Sequence, residues 1–377
     1  MTATALTNAR ILTPDGIVSG CDLVMDSGRI RGLSEGAGAD LPTIDLDGAL
    51  LAPGFIDTQV NGGGGVLFND DPCVATLATM ARAHRRYGTT AMLPTLISDD
   101  LDKVARAIRA VDEAIACGVP GIAGIHLEGP FLAPARRGAH RADKLRRLED
   151  ADLSLLTSAQ HGRTMVTLAP ECATPEQIAH LAGAGVVVSL GHSNASFAQT
   201  SAALAAGATA FTHLFNAMSP LTVREPGMVG AALTSDRAIA GIIADGEHVH
   251  PGSLRVALRA LGHQRLMLVT DAMSLADTSL ANFTLQGRLI ERQGNALRDA
   301  EGTLAGSALT MIEAVTGMMR LTDVSLGCAV AMATKVPARL LGLEAEIGAI
   351  MPGMRADLVA INDGLELVAT WISGQTV

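Results

Sequence analysis

The most restrictive feature of this chain is the alternation of short apolar segments with helix-like segments through its middle. Each apolar segment has the length and the Val, Leu, Ile and Ala content of a buried strand. The predicted strands are residues 55–59, 90–95, 122–128, 165–170, 186–191, 210–214, 239–245 and 266–271. Because eight strands that alternate with helices can close on themselves, the pattern predicts an α/β fold, a (β/α)8 barrel of the TIM type.

Helical segments are predicted between most of these strands, and 74–87 and 101–116 are two of them. A third, 174–183, begins with Thr174, Pro175 and Gln177, which are typical of an N-cap, a first helical position and a capping-box partner. An open, doubly wound sheet is the alternative fold. It is disfavoured because no GxGxxG motif follows the first strand.

Both ends of the chain differ from this middle. Residues 1–49 and the last thirty or so residues consist of short β segments broken by turns such as "PDG" and "DSGR". We therefore expect one small β-sandwich domain built from residues 1–50 and 346–377, around a barrel of residues 51–345. Two unrelated flanking hairpins are the alternative.

Composition excludes several classes of protein. Apolar residues make up 48% of the 377 residues and charged residues 18%, which is enough for a large core. The net charge is −10 with no basic stripe, which argues against a nucleic-acid partner. We find no apolar run long enough to cross a bilayer, so no membrane association is expected. The cysteines number five, with no CxxC, which favours a reduced, cytoplasmic protein.

Acidic and histidine residues stand repeatedly where predicted strands end, the place where barrels of this kind carry their chemistry. Glu128, His192 and His213 are the predicted metal ligands, because one Glu and two His leave a position for water. A capping Glu and two hydrogen-bonded core histidines would give the same pattern. Asp271 is the predicted acid/base residue, although "TDAMS" would also suit a helix N-cap.

The stretch "PGFIDTQVNGGGG" places Gln59 and Asn61 on the same side of the first strand, where metal sites often use His-x-His. Amides are weak ligands for zinc-like ions, so we expect one metal ion per chain and amides that hydrogen-bond the pocket or the substrate. His126 points to the same side of its strand as Glu128, and is either a further ligand or a packed core residue. Glu171, after "LAP", is equally ambiguous.

Ten motifs occur together in order from about residue 51 to the C-terminus. They are "PGFIDTQVNGGGG", "HLEGPFL", "LAPE", "GHSNA", "THLFNAM", "REPG", "ADGEHVHP", "LVTDAM", "LAGSALTM" and "GAIMPGMRADLVAIN". In this combination the chain resembles the N-acetylglucosamine-6-phosphate deacetylases of the amidohydrolase superfamily. The resemblance implies a distorted barrel with a small β-sandwich, and a hydrolase acting on a linear amide. Its substrate would be N-acetyl-D-glucosamine 6-phosphate, in amino-sugar catabolism, giving glucosamine 6-phosphate and acetate.

The same resemblance implies roles for individual residues. Asp271 and His140 would be catalytic, with His140 hydrogen-bonded to the acetamide carbonyl. His248 and Arg224 would bind the 6-phosphate as a pair that works across a dimer, which implies a homodimer. The implied substrate-binding residues are Ala139, His140, Asn216, Ala217, Arg224, Asp245, His248, Leu304, Ala305 and Gly306.

Alternatives remain open at this stage. A related N-acyl sugar phosphate, such as N-acetylgalactosamine 6-phosphate, would need the same metal ligands and Asp271. A cyclic-amide hydrolase is disfavoured because no bridging lysine is evident, and a silent sugar-phosphate-binding protein because every ligand is present. Zinc is the first choice of metal, with iron, manganese or cobalt as alternatives. "TDAMSLADTS" lacks the glycine-rich continuation typical of the family, so a different loop is expected over the sugar.

Overall fold

The structure, a computed structural model, describes residues 3–377. The first part of the described chain consists mainly of short strands. Turn residues interrupt its apolar segments every few positions, so no segment is long enough for an α-helix. Its strands are β1 (Thr4–Thr7), β2 (Arg10–Thr13), β3 (Gly16–Val18), β4 (Asp22–Asp26), β5 (Arg29–Ser34), β6 (Thr43–Asp45), β7 (Leu50–Pro53), β8 (Phe55–Val60), β9 (Gly62–Gly63) and β10 (Val66–Leu67).

Helices and strands alternate through the middle of the chain. In order these are α1 (Val74–Arg85), β11 (Thr89–Ile97), α2 (Leu101–Ala116), β12 (Gly124–Glu128), α3 (Asp150–Leu156), β13 (Arg163–Leu168), α4 (Pro175–Gly183), β14 (Val187–Leu190), α5 (Phe197–Ala205), β15 (Ala210–Phe211), α6 (Gly227–Thr234), β16 (Ile239–Ile242), α7 (Pro251–Leu261) and β17 (Leu266–Leu268).

A group of antiparallel strands, three helices and a final set of strands complete the chain. They are β18 (Asn282–Leu285), β19 (Arg288–Gln293), β20 (Ala296–Arg298), β21 (Leu304–Ser307), α8 (Met311–Thr322), α9 (Leu326–Ala333), α10 (Lys335–Leu340), β22 (Leu358–Ile361), β23 (Leu367–Ile372) and β24 (Gln375–Thr376). None of the helices within residues 3–377 is both long enough and apolar enough to cross a membrane.

The parallel strands form an eight-stranded sheet in the order β17-β16-β15-β14-β13-β12-β11-β8. A parallel bridge between Val60 and Ala272 joins the first and last strands, so the sheet is a nearly closed barrel. Every predicted barrel strand coincides with one of these strands, and the predicted fold class is confirmed. The predicted start of α4 is also confirmed, since Thr174 accepts from the Gln177 backbone N–H in a capping box.

Strands from both ends of the chain share one sheet. Its order, β24-β23-β22-β7-β2-β3, joins N-terminal and C-terminal strands edge to edge. A four-stranded sheet, β5-β4-β1-β6, provides further extended structure beside it. Leu6, Ile11, Leu358 and Trp371 are fully buried in the apolar cluster shared by these strands. The β domain expected from the resemblance is therefore present beside the barrel.

A four-stranded antiparallel meander, β18-β19-β20-β21, follows the last barrel strand. From the sequence we expected only a loop over the sugar that differs from the family's. Two dipeptides could have revealed it: Gln-Gly at residues 286–287 and Gly-Asn at residues 294–295. Two-residue hairpin turns need positive φ angles, which glycine adopts readily. Gln286 and Gly287 indeed have φ angles of 48° and 88°.

Candidate active site

A cavity of about 320 Å³ opens at the carboxyl ends of the barrel strands. Residues from the loops after several different strands reach it, although they are far apart in the sequence. The predicted site residues that line it are Glu128, Ala139, His140, His192, His213, Asn216, Ala217, His248, Asp271, Leu304 and Gly306. Ile97, Ala135, Arg136, Gly138, Ile243, Met273 and Thr303, none of them predicted, line it as well.

The three predicted metal ligands meet at the base of the cavity. Oε1 of Glu128 lies 3.0 Å from Nε2 of His192 and 3.1 Å from Nε2 of His213, and the two Nε2 atoms are 2.9 Å apart. All three residues are buried. Glu128 ends β12, while each histidine lies two residues beyond its strand, so the sheet itself holds the ligands at one level.

The backbone around these residues adopts unusual conformations. His192, His213 and Asp271 have φ angles of 48°, 31° and 53°, in the region that non-glycine residues rarely occupy. Each such conformation costs of the order of 1–3 kcal/mol and persists only where the surrounding structure enforces it. The cluster of strained residues at the strand ends is typical of a functional site.

The donor set at the base of the cavity suits a cation. His192 donates its Nδ1–H to the carbonyl oxygen of Arg136 at 2.9 Å, so its Nε2 carries a lone pair. The Nε2 atoms of both histidines and the Glu128 oxygen converge within 3.1 Å of one another, as the ligand atoms of a single ion must. Two imidazoles and one carboxylate are a common ligand set for zinc and related divalent ions.

The pKa shifts of these groups show which charge the base of the cavity favours. Burial raises the pKa of Glu128, but hydrogen bonds with His192 and His213 outweigh it and hold that pKa well below its usual value. Burial lowers the pKa of His213, but the hydrogen bond and charge of Glu128 raise it overall. Glu128 and the two histidines therefore favour positive charge at this point, which a divalent ion would supply on binding.

Asp271 is held beside the predicted ligands by the two amides of the first strand. Its Oδ1 accepts hydrogen bonds from Nδ2 of Asn61 at 2.7 Å and from Nε2 of Gln59 at 3.2 Å. Nε2 of Gln59 also lies 3.3 Å from both carboxylate oxygens of Glu128. Burial, followed by the charge of Glu128, raises the pKa of Asp271 to about 6. A carboxylate with that pKa can both accept and return a proton near neutral pH.

His140 is oriented by Ser98, a residue that the sequence interpretation missed. The Nδ1 of His140 accepts from the Ser98 backbone N–H at 3.3 Å and lies 2.7 Å from the Ser98 hydroxyl. This arrangement leaves the ring proton on Nε2. Burial, followed by the charge of His192, lowers the pKa of His140 to about 3, so the ring is neutral.

A ring nitrogen of His140 also lies within 4.8 Å of ligand atoms of Glu128 and His192, which makes His140 a geometric candidate for metal binding. Its chemistry argues against that role. The nitrogen that could bind a metal is either protonated, at Nε2, or already an acceptor for Ser98, at Nδ1. His140 is therefore better suited to donate a hydrogen bond into the cavity.

His248 and Asp245 form a buried pair at the wall of the cavity. Nδ1 of His248 lies 2.6 Å from Oδ2 of Asp245, and Nε2 of His248 is buried without a partner among the described residues. His248 lines the cavity, whereas Asp245 does not. Ala305 does not line it either and is buried in the apolar cluster formed with the meander.

Other predicted or ambiguous residues lie away from the cavity. Arg224 is exposed in the loop before α6 and does not line it. His126 is buried in the barrel between the hydroxyls of Thr95 and Thr167. Glu171 braces a loop by accepting from the Ser193 hydroxyl and the Asn194 backbone N–H.

The barrel and its site define the class of protein. Residues 50–377 match the Amidohydrolase family, and the chain belongs to that family. Members of this class are hydrolases of amide bonds, and the superfamily uses divalent metal ions.

More specific relatives cover nearly the whole chain. The N-acetylgalactosamine-6-phosphate deacetylase of Shewanella sp. (strain ANA-3) is 46% identical over 97% of this chain and 94% of its own length. The N-acetylglucosamine-6-phosphate deacetylase of Homo sapiens is 40% identical over 88% of this chain and 84% of its own. The crystal structure of N-acetylglucosamine-6-phosphate deacetylase from Pasteurella multocida superposes with a TM-score of 0.96, at 34% identity, covering 100% of this chain and 99% of that chain.

Proposed function

We propose that this chain is a metal-dependent deacetylase of an N-acetylhexosamine 6-phosphate, releasing acetate and the free amino-sugar phosphate. N-acetyl-D-glucosamine 6-phosphate is the first candidate substrate. The observation that carries the proposal is the meeting of Glu128, His192 and His213 in one cavity with Asp271 and His140. This set provides a metal site, a proton carrier and a hydrogen-bond donor, which are what amide hydrolysis requires.

The proposed chemistry divides between the metal site and the protein. A divalent ion held by Glu128, His192 and His213 would act as a Lewis acid, polarising the amide carbonyl and lowering the pKa of water. The free oxygen of Asp271 accepts the proton of the attacking water. Nε2–H of His140 donates to the carbonyl oxygen as negative charge develops there. Asp271 then returns its proton to the departing nitrogen, because an amine leaves poorly without one.

The amides of the first strand support a single metal ion in each chain. Gln59 and Asn61 already hydrogen-bond Asp271, and Gln59 also bonds Glu128, so their NH2 groups point at the carboxylates of the site. An NH2 group is a donor and repels a cation. We propose zinc as the bound ion, with iron, manganese or cobalt as alternatives.

The other end of the cavity suits the sugar and its phosphate. Asn216, Ala217 and Leu304 line the cavity, and the Nε2 of His248 has no partner among residues 3–377. Asp245 lies at one ring nitrogen of His248, and the other ring nitrogen is free to meet an oxygen of the phosphate. We propose that His248 binds the 6-phosphate.

Arg224 is proposed to reach the phosphate of a partner chain in a homodimer. Its loop projects from the barrel, with Val223 100% exposed and Leu221 55% exposed. Such apolar side chains at a loop tip favour contact with another protein surface. Because Arg224 does not line its own cavity, a role in phosphate binding requires a second copy.

N-acetylgalactosamine 6-phosphate is the second candidate substrate. The relative from Shewanella that carries this activity in its name is 46% identical, compared with 40% for the human glucosamine-type enzyme. The metal site and Asp271 would serve either epimer.

The test is acetate release from both epimers, with protein that is first stripped of metal by a chelator and then supplied with one divalent metal at a time. We expect turnover of at least one epimer to return with zinc or one of its alternatives. Failure of every metal to restore acetate release from either epimer would overturn the proposed function.

A further inference from the structure

The meander formed by β18 to β21 covers part of the barrel top beside the cavity. Its apolar side packs on loops of the barrel, where Leu285, Ile290 and Leu297 share a buried cluster with Ile97 and Met273. Ala139 is packed against this same cluster. The meander thus lies against both segments that hold His140, the one containing Ser98 and the one containing Ala139.

Two polar side chains of the meander reach these same segments. Nε2 of Gln286 donates to the carbonyl oxygen of Ser98 at 3.1 Å. The guanidinium of Arg288 donates to the carbonyl oxygen of Ala139, which belongs to the peptide group joined to His140. The meander therefore fixes the backbone of the residue that binds the His140 ring and the backbone that carries His140.

Both side chains are themselves constrained. Arg288 lies 3.5 Å from Oδ2 of Asp299, whose side chain is 6% exposed, so an anchored carboxylate directs the guanidinium. Gln286 lies at the turn between β18 and β19, where its φ angle is 48°, and its side chain reaches the Ser98 carbonyl from there. A guanidinium bond to a carbonyl is charge-assisted and stronger than a neutral hydrogen bond.

We propose that Arg288 and Gln286 are positioning residues for His140, so that the meander sets the orientation of the proposed carbonyl-polarising donor. This inference rests on the proposed function. His140 has its Nδ1 fixed by Ser98, which leaves Nε2 as the donor, so a small rotation of either backbone segment changes where the Nε2–H points. Misplacement by about 1 Å can lower turnover as much as 100-fold.

The test compares Arg288→Ala and Gln286→Ala with Arg292→Ala as the matched control. Arg292 lies on the same strand, β19, but its guanidinium bonds the carbonyls of Gly294 and Thr278 and does not contact the segments around His140. We expect R288A to lower kcat roughly 10- to 100-fold with KM changed less than about threefold. Arg288→Lys, which keeps a cationic donor, should recover part of the loss, and R292A should retain nearly full activity.

A double-mutant cycle with His140→Asn separates positioning from general support of the fold. If Arg288 acts through His140, R288A should lower kcat less than about twofold when His140 is already absent. An equal loss in both backgrounds, a loss confined to KM, or an equal loss in R292A would overturn the inference.

A structural readout keeps the inference testable without turnover. Crystal structures of R288A and R292A should show the His140 ring displaced from Ser98 in R288A only. An undisplaced ring in R288A would refute the positioning role. Absence of acetate release from the wild-type chain with every metal would instead refute the proposed function, and the crystal structures would still decide on Arg288.

Discussion

At the scale of single residues, uncharged side chains hold the two proposed catalytic groups, Asp271 and His140, in place by hydrogen bonds. Gln59 and Asn61 both donate to Oδ1 of Asp271, which leaves its other oxygen without a hydrogen bond from the described residues. Ser98 likewise fixes the His140 ring, because its backbone N–H donates to Nδ1 at 3.3 Å and its hydroxyl lies 2.7 Å from that nitrogen. Each reactive group thus presents one defined atom to the cavity.

Replacing Asp271 by Asn should separate metal binding from proton transfer. The amide cannot accept a proton, so we expect kcat to fall by about 10²- to 10⁴-fold. Metal content should remain near that of wild type, because Asp271 is outside the Glu128, His192 and His213 set. Acetate release and metal analysis on the same sample check both points. Turnover within tenfold of wild type would show that another group carries the proton.

The pH dependence of kcat/KM should report the ionisation of Asp271. As the proposed base, Asp271 must be deprotonated, so activity is expected to fall as the pH drops through its pKa. Burial and the charge of Glu128 raise that pKa to about 6, and a bound cation lowers it again, so the midpoint should lie at or below about pH 6. Activity that rises as the medium becomes more acidic would contradict this role.

At the scale of elements, a few hydrogen bonds between the first barrel strand and the segment after the last one close the barrel. Apart from the Val60–Ala272 bridge, the Asp271 N–H donates to the Gln59 carbonyl at 3.0 Å and the Thr270 hydroxyl donates to Asp57. Asp57 also accepts from the backbone N–H of Gln59 at 3.1 Å. A buried carboxyl group therefore joins β8 to Thr270, the residue that precedes Asp271.

Asp57→Asn should change how stability depends on pH. Burial raises the pKa of Asp57 to about 7, so the folded protein holds a proton that the unfolded chain loses near pH 4. The wild type should therefore lose stability between about pH 4 and pH 7, by up to about 4 kcal/mol, and the Asn variant should lack this loss. Free energies of unfolding of both proteins across that range provide the check. Parallel curves would show that Asp57 has an ordinary pKa.

Strand positions could be predicted from the sequence because each barrel strand is an apolar run ended by polar residues, as at Leu127 and Glu128. The proposed metal ligands could be found in the sequence because Glu128 ends its strand, and His192 and His213 lie two residues beyond theirs. The meander was missed since its strands are short and partly polar, and its packing depends on a surface made by distant loops. Ser98 and Arg288 could not be predicted for the same reason: they contact the His140 segment only in the folded barrel.

At the scale of the whole molecule, the phosphate site needs two chains if Arg224 is part of it. His248 lines the cavity of its own chain, whereas Arg224 lies on an exposed loop beside the fully exposed Val223. The two residues would then meet only across a dimer interface. The fold alone does not imply this assembly, because the same barrel could function as a single chain.

Subunit mixing tests the shared site. R224A and H248A homodimers should each be impaired, since each variant damages both sites. A mixed dimer would contain one site with both residues intact and one with neither, so co-expressed variants should recover substantial activity. Arg224→Ala should mainly raise KM, because a phosphate contact distant from the amide binds substrate and transition state alike. A monomeric protein in solution, or no recovery on mixing, would exclude a shared site.

The most direct measurement for the whole account is a titration of metal-stripped protein with zinc, followed by acetate release from both hexosamine phosphates. We predict that activity rises in proportion to added metal and stops rising at one equivalent per chain, and that His213→Ala removes this response. Full activity without metal, or a plateau at two equivalents, would contradict a single catalytic ion held by Glu128, His192 and His213.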